Sequence, residues 1–489
     1  MNYRMILYLL GYVLLLLGGF LLLPVIVALI YGEGDWASLL LTAAICAVLG
    51  ALLRLCKPKQ RRSMQARDGF VVVSLSWIVI SLLGALPFYL HGAVPSYLDA
   101  VFETASGFST TGASILHNVE AVPHGLLFWR SFTHWLGGMG VLVFMLAVVP
   151  LSGDSLYLLK AESPGPSVSK MVPKMRTSAM ILYGIYCAMT LLQICAYQLG
   201  NLFGWGEISL FDSVCLTFGS AGTGGFAVRN DGLASYAPYI QSVTTVAMIL
   251  FGVNFSVYFF LISRKFRLIA KNSELKCYLA IILFAIALIC LDLTLTGGYF
   301  PSVGQTLHHV SFSVGSILTT TGFSTVDFSQ WPELSKMVLM SLMVIGACAG
   351  STGGGIKVSR LLILFKSARA ELRRLLHPHR VEVMTMDGKR VSSDVIRGTN
   401  AFLIFYLLIA LTSMLLVSLD GMGTETTVTA VLATLNNIGP GTSILIGPAG
   451  NYADFSALSK IVLSLDMLFG RLELFPMLIL FRPSTWRKH

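Results

Sequence analysis

Charge is what this sequence has least of. Asp, Glu, Lys and Arg make up only 12% of its 489 residues, against about 25% in an ordinary soluble domain. Acidic side chains are the scarcer kind, 24 against 34 basic ones, for a formal net charge of +10. The short alternating segments of a transmembrane β-barrel are missing. None of the eight cysteines falls in a CxxC pair, and most lie in apolar stretches. They read as small buried hydrophobes, not as disulfide partners or metal ligands. There is no HExxH, GxSxG or GxGD among the apolar spans, which leaves an enzyme without a motif. No segment carries Arg or Lys at every third position, which excludes a voltage sensor.

What the chain has instead is hydrophobic length: 55% hydrophobic residues and a mean hydropathy of +0.76. Apolar runs cover 5–31, 36–55, 70–90, 178–200, 238–262, 277–298 and 398–419, each long enough for a helix to cross a bilayer. The first has some look of a signal peptide, but it is long and lacks a small-residue cleavage site, so it reads as a helix. With the N-terminus placed inside, all but five of the 34 Lys and Arg residues fall on inner segments; the five are Arg130, Arg229, Lys336, Lys460 and Arg471. That asymmetry follows the positive-inside rule and puts both termini in the cytoplasm. The net charge is then mostly topology and not a nucleic-acid footprint. Polybasic inner loops, the largest over 366–397 with KSARAELRRLLHPHR, are suited to anionic membrane lipid or to a cytosolic partner.

Four stretches break the apolar pattern: FSTTGAS at 108–114, GSAGTGGFA at 219–227, ILTTTGFSTVD at 317–327 and TLNNIGPGTS at 434–443. Their glycines Gly112, Gly225, Gly322 and Gly439 are spaced 113, 97 and 117 residues apart. Each follows an apolar span and an amphipathic segment of about a dozen residues, too short to span. Each precedes a polar loop and another apolar span. This predicts an all-α polytopic membrane protein of four pseudo-symmetric helix–pore-loop–helix repeats around one pore, after two N-terminal helices. The expected divisions are 1–67 for the two helices and 68–177, 178–272, 273–395 and 396–489 for the repeats. Asp99 and Asp212, each 13 residues before its glycine, suit the N-cap of a short helix; His309 and Thr426 hold those places in the other two.

A chain that enters the membrane as half a helix must return as non-helical backbone. Unpaired peptide groups cannot face lipid, so they have to line a polar cavity. Small Thr and Gly residues let four such loops present carbonyl oxygens to an axis, which can replace the hydration shell of a cation. Half-helix C-termini aim partial negative charge at the same point. The expected filter residues are Thr110, Thr111 and Gly112; Thr223, Gly224 and Gly225; Thr320, Thr321 and Gly322; and Asn437, Ile438 and Gly439. In the second loop Thr223-Gly224 offers a rival register; Gly225 is preferred because Phe226 then matches Phe323. The bland reading is that these glycines only let helices pack closely.

CAGSTGGGIKVSR at 348–360 holds Gly350, Gly353, Gly354 and Gly355, and with Gly346 just before it five glycines fall within ten residues. Each glycine costs about 1 kcal/mol relative to Ala in a helix interior, so a break into an intramembrane loop is expected. Gly350, Ser351, Thr352, Gly353, Gly354 and Gly355 are candidates for a gate, with Lys357 as a latch. A plain kink or a phosphate loop is the alternative, although GxxxxGK[ST] is absent. Arg471 lies within the last apolar span, where charge points to function; it either sets a barrier to cations, pairs with the gate loop, or forms a structural ion pair with Asp466. Glu103 either holds the first loop from behind or sits solvated at the outer mouth.

These loops, together with FWRSFTHWLGGMGVLVF at 128–144, CAGSTGGGIKVSR and DMLFGRLELFP at 466–476, resemble the Trk/Ktr/HKT superfamily of potassium transporters, most nearly its bacterial TrkH/TrkG type. The resemblance covers nearly the whole chain. It implies a one-chain pseudo-fourfold pore in the bacterial cytoplasmic (inner) membrane, a homodimer, and a cytosolic TrkA-like regulatory ring binding ATP/ADP or NAD(H). It also implies the gate role for the Gly-rich loop and a pore-facing Arg471. Glycine at all four core positions implies K+ as the transported ion, coordinated at Thr111, Gly112, Gly224, Gly225, Thr321, Gly322, Ile438 and Gly439. The chain has no nucleotide fold of its own, and no bound cofactor or nucleic-acid partner is expected. A proton- or sodium-coupled symporter is the rival mechanism, and no residue pattern separates it from a channel.

Overall fold

The structure, a computed structural model, describes residues 3–57, 66–140, 175–377 and 384–486. The end of the first expected repeat, 68–177, from residue 141 to residue 174, therefore lies outside the described residues. Among the described residues six helices are long and apolar enough to cross a membrane: Tyr3–Tyr31, Trp36–Arg54, Arg67–His91, Thr177–Phe203, Ser273–Thr296 and Ser393–Asp420. The first two form an antiparallel pair ahead of the rest. They pack by small residues: a Cβ on Gly11 would lie 2.8 Å from the Gly50 carbonyl, and one on Gly50 2.9 Å from that of Gly11. Close backbone approach of this kind is how helices associate where lipid removes the hydrophobic driving force. Here the bland role for glycine applies.

Each of the other four spanning helices is followed by a half-helix. These are Tyr97–Phe108, Leu210–Gly222, Val303–Leu318 and Thr424–Leu435, of 12, 13, 16 and 12 residues. At about 1.5 Å per residue none reaches across a core of roughly 30 Å. Their N-caps correct the expectation from sequence. Ser96 and Ser209 are the caps, accepting from the N–H groups of Asp99 and Asp212, which sit in the first turn. Ser302 caps the third half-helix through Gln305 N, so that helix begins at Val303, and His308 and His309 fall inside it. The hydroxyl is the better cap because it reaches the orphan N–H while the acid three residues on stays near the positive helix end. Only the fourth half-helix lacks a side-chain cap, starting after Gly423.

A second helix follows each loop, and each of the four breaks off after 13–16 residues. His124–Met139 ends at Gly140, Glu333–Ile345 at Gly346, and Ala457–Arg471 before Leu472; Pro238–Phe251 turns at Gly252 into Phe255–Ile262. The last pair is bent by 91°, so the apolar run 238–262 is not the single span its hydropathy predicts. Hydropathy cannot see Gly252 and the Asn254 side chain, which accepts from Ser256 N and restarts the helix. After the third break, Val358–Leu376 runs on as a helix, and the basic segment ends in a hairpin, Thr385–Met386 with Lys389–Arg390. Those are the only strands among the described residues.

Candidate functional site

The four half-helices end in the same way. In each, the residue two before the core glycine is left-handed although it is not glycine: Thr110, Thr223, Thr320 and Asn437, with φ of 58°, 54°, 60° and 56°. Such a residue costs about 1–2 kcal/mol. It is held because the next N–H reaches back around the helix end: Thr111 to Ser106 O, Gly224 to Gly219 O, Thr321 to Ser316 O and Ile438 to Ala433 O, at 2.8–2.9 Å. This is the Schellman closure, with Thr or Asn where Gly is usual. The core glycines follow, all with positive φ: Gly112 at 81°, Gly225 at 78°, Gly322 at 82° and Gly439 at 98°. In the second loop the geometry therefore aligns Gly225, and not Gly224, with the other three.

The four loops close on one another. A Cβ on Gly112 would overlap the carbonyl of Gly224, one on Gly225 that of Thr321, and one on Gly322 that of Ile438; one on Gly439 would lie 2.7 Å from that of Thr111. Each glycine thus meets the carbonyl just before the next one, around a complete ring. One cavity is lined by all four glycines. Among the described residues the carbonyls of Thr111, Gly112, Gly224, Gly225, Thr321, Gly322 and Ile438 accept no hydrogen bond. Buried backbone groups are almost always paired, so the free carbonyls of the buried Thr111, Gly224, Thr321 and Ile438, one per loop, are a built feature. Gly439 differs: its carbonyl accepts from the Tyr452 hydroxyl at 2.7 Å.

A shell of side chains holds the ring from behind. Glu103 is 1% exposed, which removes the solvated reading. Its carboxylate accepts from Ser114 Oγ at 3.0 Å and Ile115 N at 2.9 Å, and pairs with Arg130 Nε at 2.6 Å. Arg130 also donates to Ala227 O, and its guanidinium lies 3.5 Å from the centre of the Phe226 ring. His134 bridges Gly107 O and Phe226 N. A carbonyl can only accept and an amide N–H only donate, so the ring carries its proton on Nδ1. The four outlying cations other than Arg471 are all tied to acids on half-helices: Arg130 to Glu103, Arg229 to Asp212, Lys336 to Glu425 and Lys460 to Asp99. Sequence reasoning passed over Arg130 as a site residue and Tyr452 altogether. Arg130 and His134 are four apart, on one helix face, and that spacing was a readable signal. Tyr452 sits in a loop with no periodicity to reveal it.

Beneath the ring, residues 346–357 form a non-helical loop between Ile345 and Val358. The loop touches all four units. Thr352 Oγ1 donates to Phe251 O, and Thr352 packs near Gly138. Gly354 N donates to Thr320 Oγ1 at 2.6 Å, and a Cβ on Gly354 would overlap Asn436 O. Arg471 from the fourth unit donates to Thr352 O at 2.7 Å, to Thr110 Oγ1 at 3.2 Å, to Gly138 O at 2.6 Å and to Gly137 O. The alternative reading, an ion pair with Asp466, is not among the contacts of the described residues; Asp466 accepts from Ser413 Oγ at 2.8 Å. Lys357 is buried, with positive φ, and its ammonium donates to Gly353 O within the loop. Glu473 pairs with Arg360.

The chain is similar to known proteins along its whole length. The sequence profile of TrkH, described as a cation transport protein, matches residues 37–488. The chain belongs to the TrkH family. It is 32% identical to the Trk system potassium uptake protein TrkH of Escherichia coli K12 over 100% of both chains. It is 30% identical to TrkG of the same organism over 99% of both. The crystal structure of the potassium transporter TrkH from Vibrio parahaemolyticus superposes with a TM-score of 0.88 at 31% identity, over 100% of both chains. The TrkH family is one of transporters, and the chain is not an enzyme. Among the described residues there is no group of three or more His, Cys, Asp or Glu that could hold a metal ion.

Proposed function

We propose that this chain takes up potassium across the bacterial cytoplasmic membrane through the ring of carbonyls around Gly112, Gly225, Gly322 and Gly439. The carrying observation is that closed ring, with seven carbonyls that accept no hydrogen bond among the described residues and four glycines that line one cavity. Carbonyl oxygens suit a hard cation that must shed water and leave again. The half-helix ends add negative potential. Tyr452 removes Gly439 O from the set expected to coordinate. The named activity of the relatives supports potassium as the ion. The Lys and Arg distribution supports cytoplasmic termini, with the half-helices entering from outside.

The loop 346–357 serves as the gate. It lies under the ring, bonds to the second, third and fourth units and packs against Gly138 of the first, so the pore cannot conduct past it until those contacts release. Arg471 is the tie, joining the loop to Thr110 at the ring. Arg471→Ala is expected to raise basal potassium flux about tenfold, the equivalent of one charge-assisted hydrogen bond lost from the closed arrangement. A folded variant with unchanged flux would remove the tie from the mechanism. A homodimer and a cytosolic nucleotide-binding ring complete the reading, supported by the resemblance and by the basic inner surface.

Coupled symport has one observation in its favour. Asp466 is buried, accepts from Ser413 Oγ and, like Glu274 and Asp35, has no basic partner among the described residues, whereas Glu103 pairs with Arg130. Flux into liposomes holding the purified protein, with and without an imposed proton gradient, separates the two. Potassium or rubidium uptake that follows only its own electrochemical gradient supports a gated channel. Uptake against that gradient, abolished by Asp466→Asn, supports a symporter.

A further inference from the structure

The gate loop has a second anchor, on the side away from the ring. The helix Ser273–Thr296 begins beside the loop, capped by Asn272. Glu274 in its first turn is buried, 5% exposed. One oxygen of its carboxylate, Oε1, accepts from Ala349 N at 2.7 Å and from Ser359 N at 3.2 Å. Those amides bracket the stretch 350–357: Ala349 directly precedes Gly350, and Ser359 lies two residues beyond Lys357, in the first turn of Val358–Leu376. The two shoulders of the loop are therefore gathered on a single atom. The positive end of Glu274's own helix offsets the burial of that charge.

The neighbouring residue leads to the basic inner segment. Ser273 N donates to Asp387 Oδ1 at 2.7 Å. Asp387, with φ 52°, and Gly388, with φ 77°, form the tight turn of the hairpin Thr385–Arg390. Both residues of such a turn need positive φ, which is why Asp-Gly stands there. Lys366 Nζ donates to Thr385 O at 2.9 Å and ties the hairpin to the helix that leaves the gate loop. The hairpin, the helix start and both loop shoulders thus form one bonded chain, and nothing in the ring contributes to it.

We infer that Glu274 is a positioning residue that holds the gate loop closed from the cytoplasmic side, and that the hairpin around Asp387 sets its position. A displacement of the hairpin draws on Ser273, shifts Glu274, and releases both shoulders together. The inference rests on the gate reading of residues 346–357. It gives a cytosolic partner bound at the basic segment a route to the gate that does not pass through the filter.

The test is potassium and sodium flux in liposomes holding the full-length protein, for Glu274→Ala, Glu274→Gln, Asp387→Ala, the double variant Glu274→Ala/Asp387→Ala, and a deletion of residues 350–355. Glu274→Ala is expected to raise potassium flux about tenfold, as loss of a charged acceptor biases the loop to release, with the potassium-to-sodium ratio unchanged. Glu274→Gln keeps an oxygen acceptor and should lie between it and the parent protein. Asp387→Ala should raise flux less, and the double variant should match Glu274→Ala alone, because Asp387 acts through Glu274. Unchanged flux in both folded Glu274 variants, a changed ion ratio, or additive effects in the double variant would each overturn the inference. Should Glu274→Ala fail to fold, Glu274→Gln and Asp387→Ala carry the test. If the deletion raises flux while the Glu274 variants do not, the gate stands and the anchor falls; if the deletion does not raise flux, the gate reading itself fails.

Discussion

Gly112→Ser is expected to cut discrimination between potassium and sodium by about tenfold or more, the effect of roughly 1.4 kcal/mol on the relative energies of the two ions in the ring. The reason is spatial and conformational. Gly112 has φ 81°, and a Cβ there would overlap the Gly224 carbonyl. A serine must push loop one away from loop two or turn its own backbone, and either move displaces ring carbonyls. Discrimination depends on the positions and field of those oxygens. Glu103, Arg130 and His134 brace this junction from behind, so the strain falls on the ring and not on the scaffold. Reversal potentials in planar bilayers, or paired rubidium and sodium uptake, read the ratio directly. Gly184→Ser is the control: a Cβ at Gly184 meets nothing within 4 Å. An unchanged ratio in Gly112→Ser would argue that the ring does not select.

Deleting residues 350–355 is expected to raise basal flux by about tenfold or more, since the closed arrangement loses several bonds at once. The segment includes Thr352, which joins Arg471 to Phe251, and Gly354, which is bonded to Thr320. Selectivity should move less than in Gly112→Ser, because the Schellman closures that shape the ring lie outside the deletion. A correctly inserted protein that conducts no faster would make the loop a structural plug between helices and not a gate.

Both expectations depend on features that differ in how far the sequence discloses them. Hydropathy was enough for the six long spans and the all-helical class, because length and apolarity are what lipid demands. The four-unit order was legible because the glycine-bearing stretches recur at similar spacing. Gly225 could be preferred over Gly224 through Phe226, although only the repeated left-handed residue two places before it decides the register. The caps were misassigned to Asp99 and Asp212, since Ser-x-x-Asp places two good capping residues within one turn and sequence does not say which one faces the free N–H.

What the sequence by itself determined is the kind of protein: helical, membrane-spanning, made of four related units with small-residue loops and a glycine-dense break at 346–355. Those follow from local composition and spacing, which the bilayer reads almost one-dimensionally. What only the tertiary structure decided is how residues hundreds of positions apart meet. The bend at Gly252, the breaks at Gly140 and Leu472, the Arg130–Glu103 brace, Tyr452 on Gly439, Arg471 on Thr110 and Thr352, and Glu274 on Ala349 and Ser359 leave no periodic trace. Each answers a long-range demand that a buried peptide group or charge find a partner inside the protein, where water and lipid supply none.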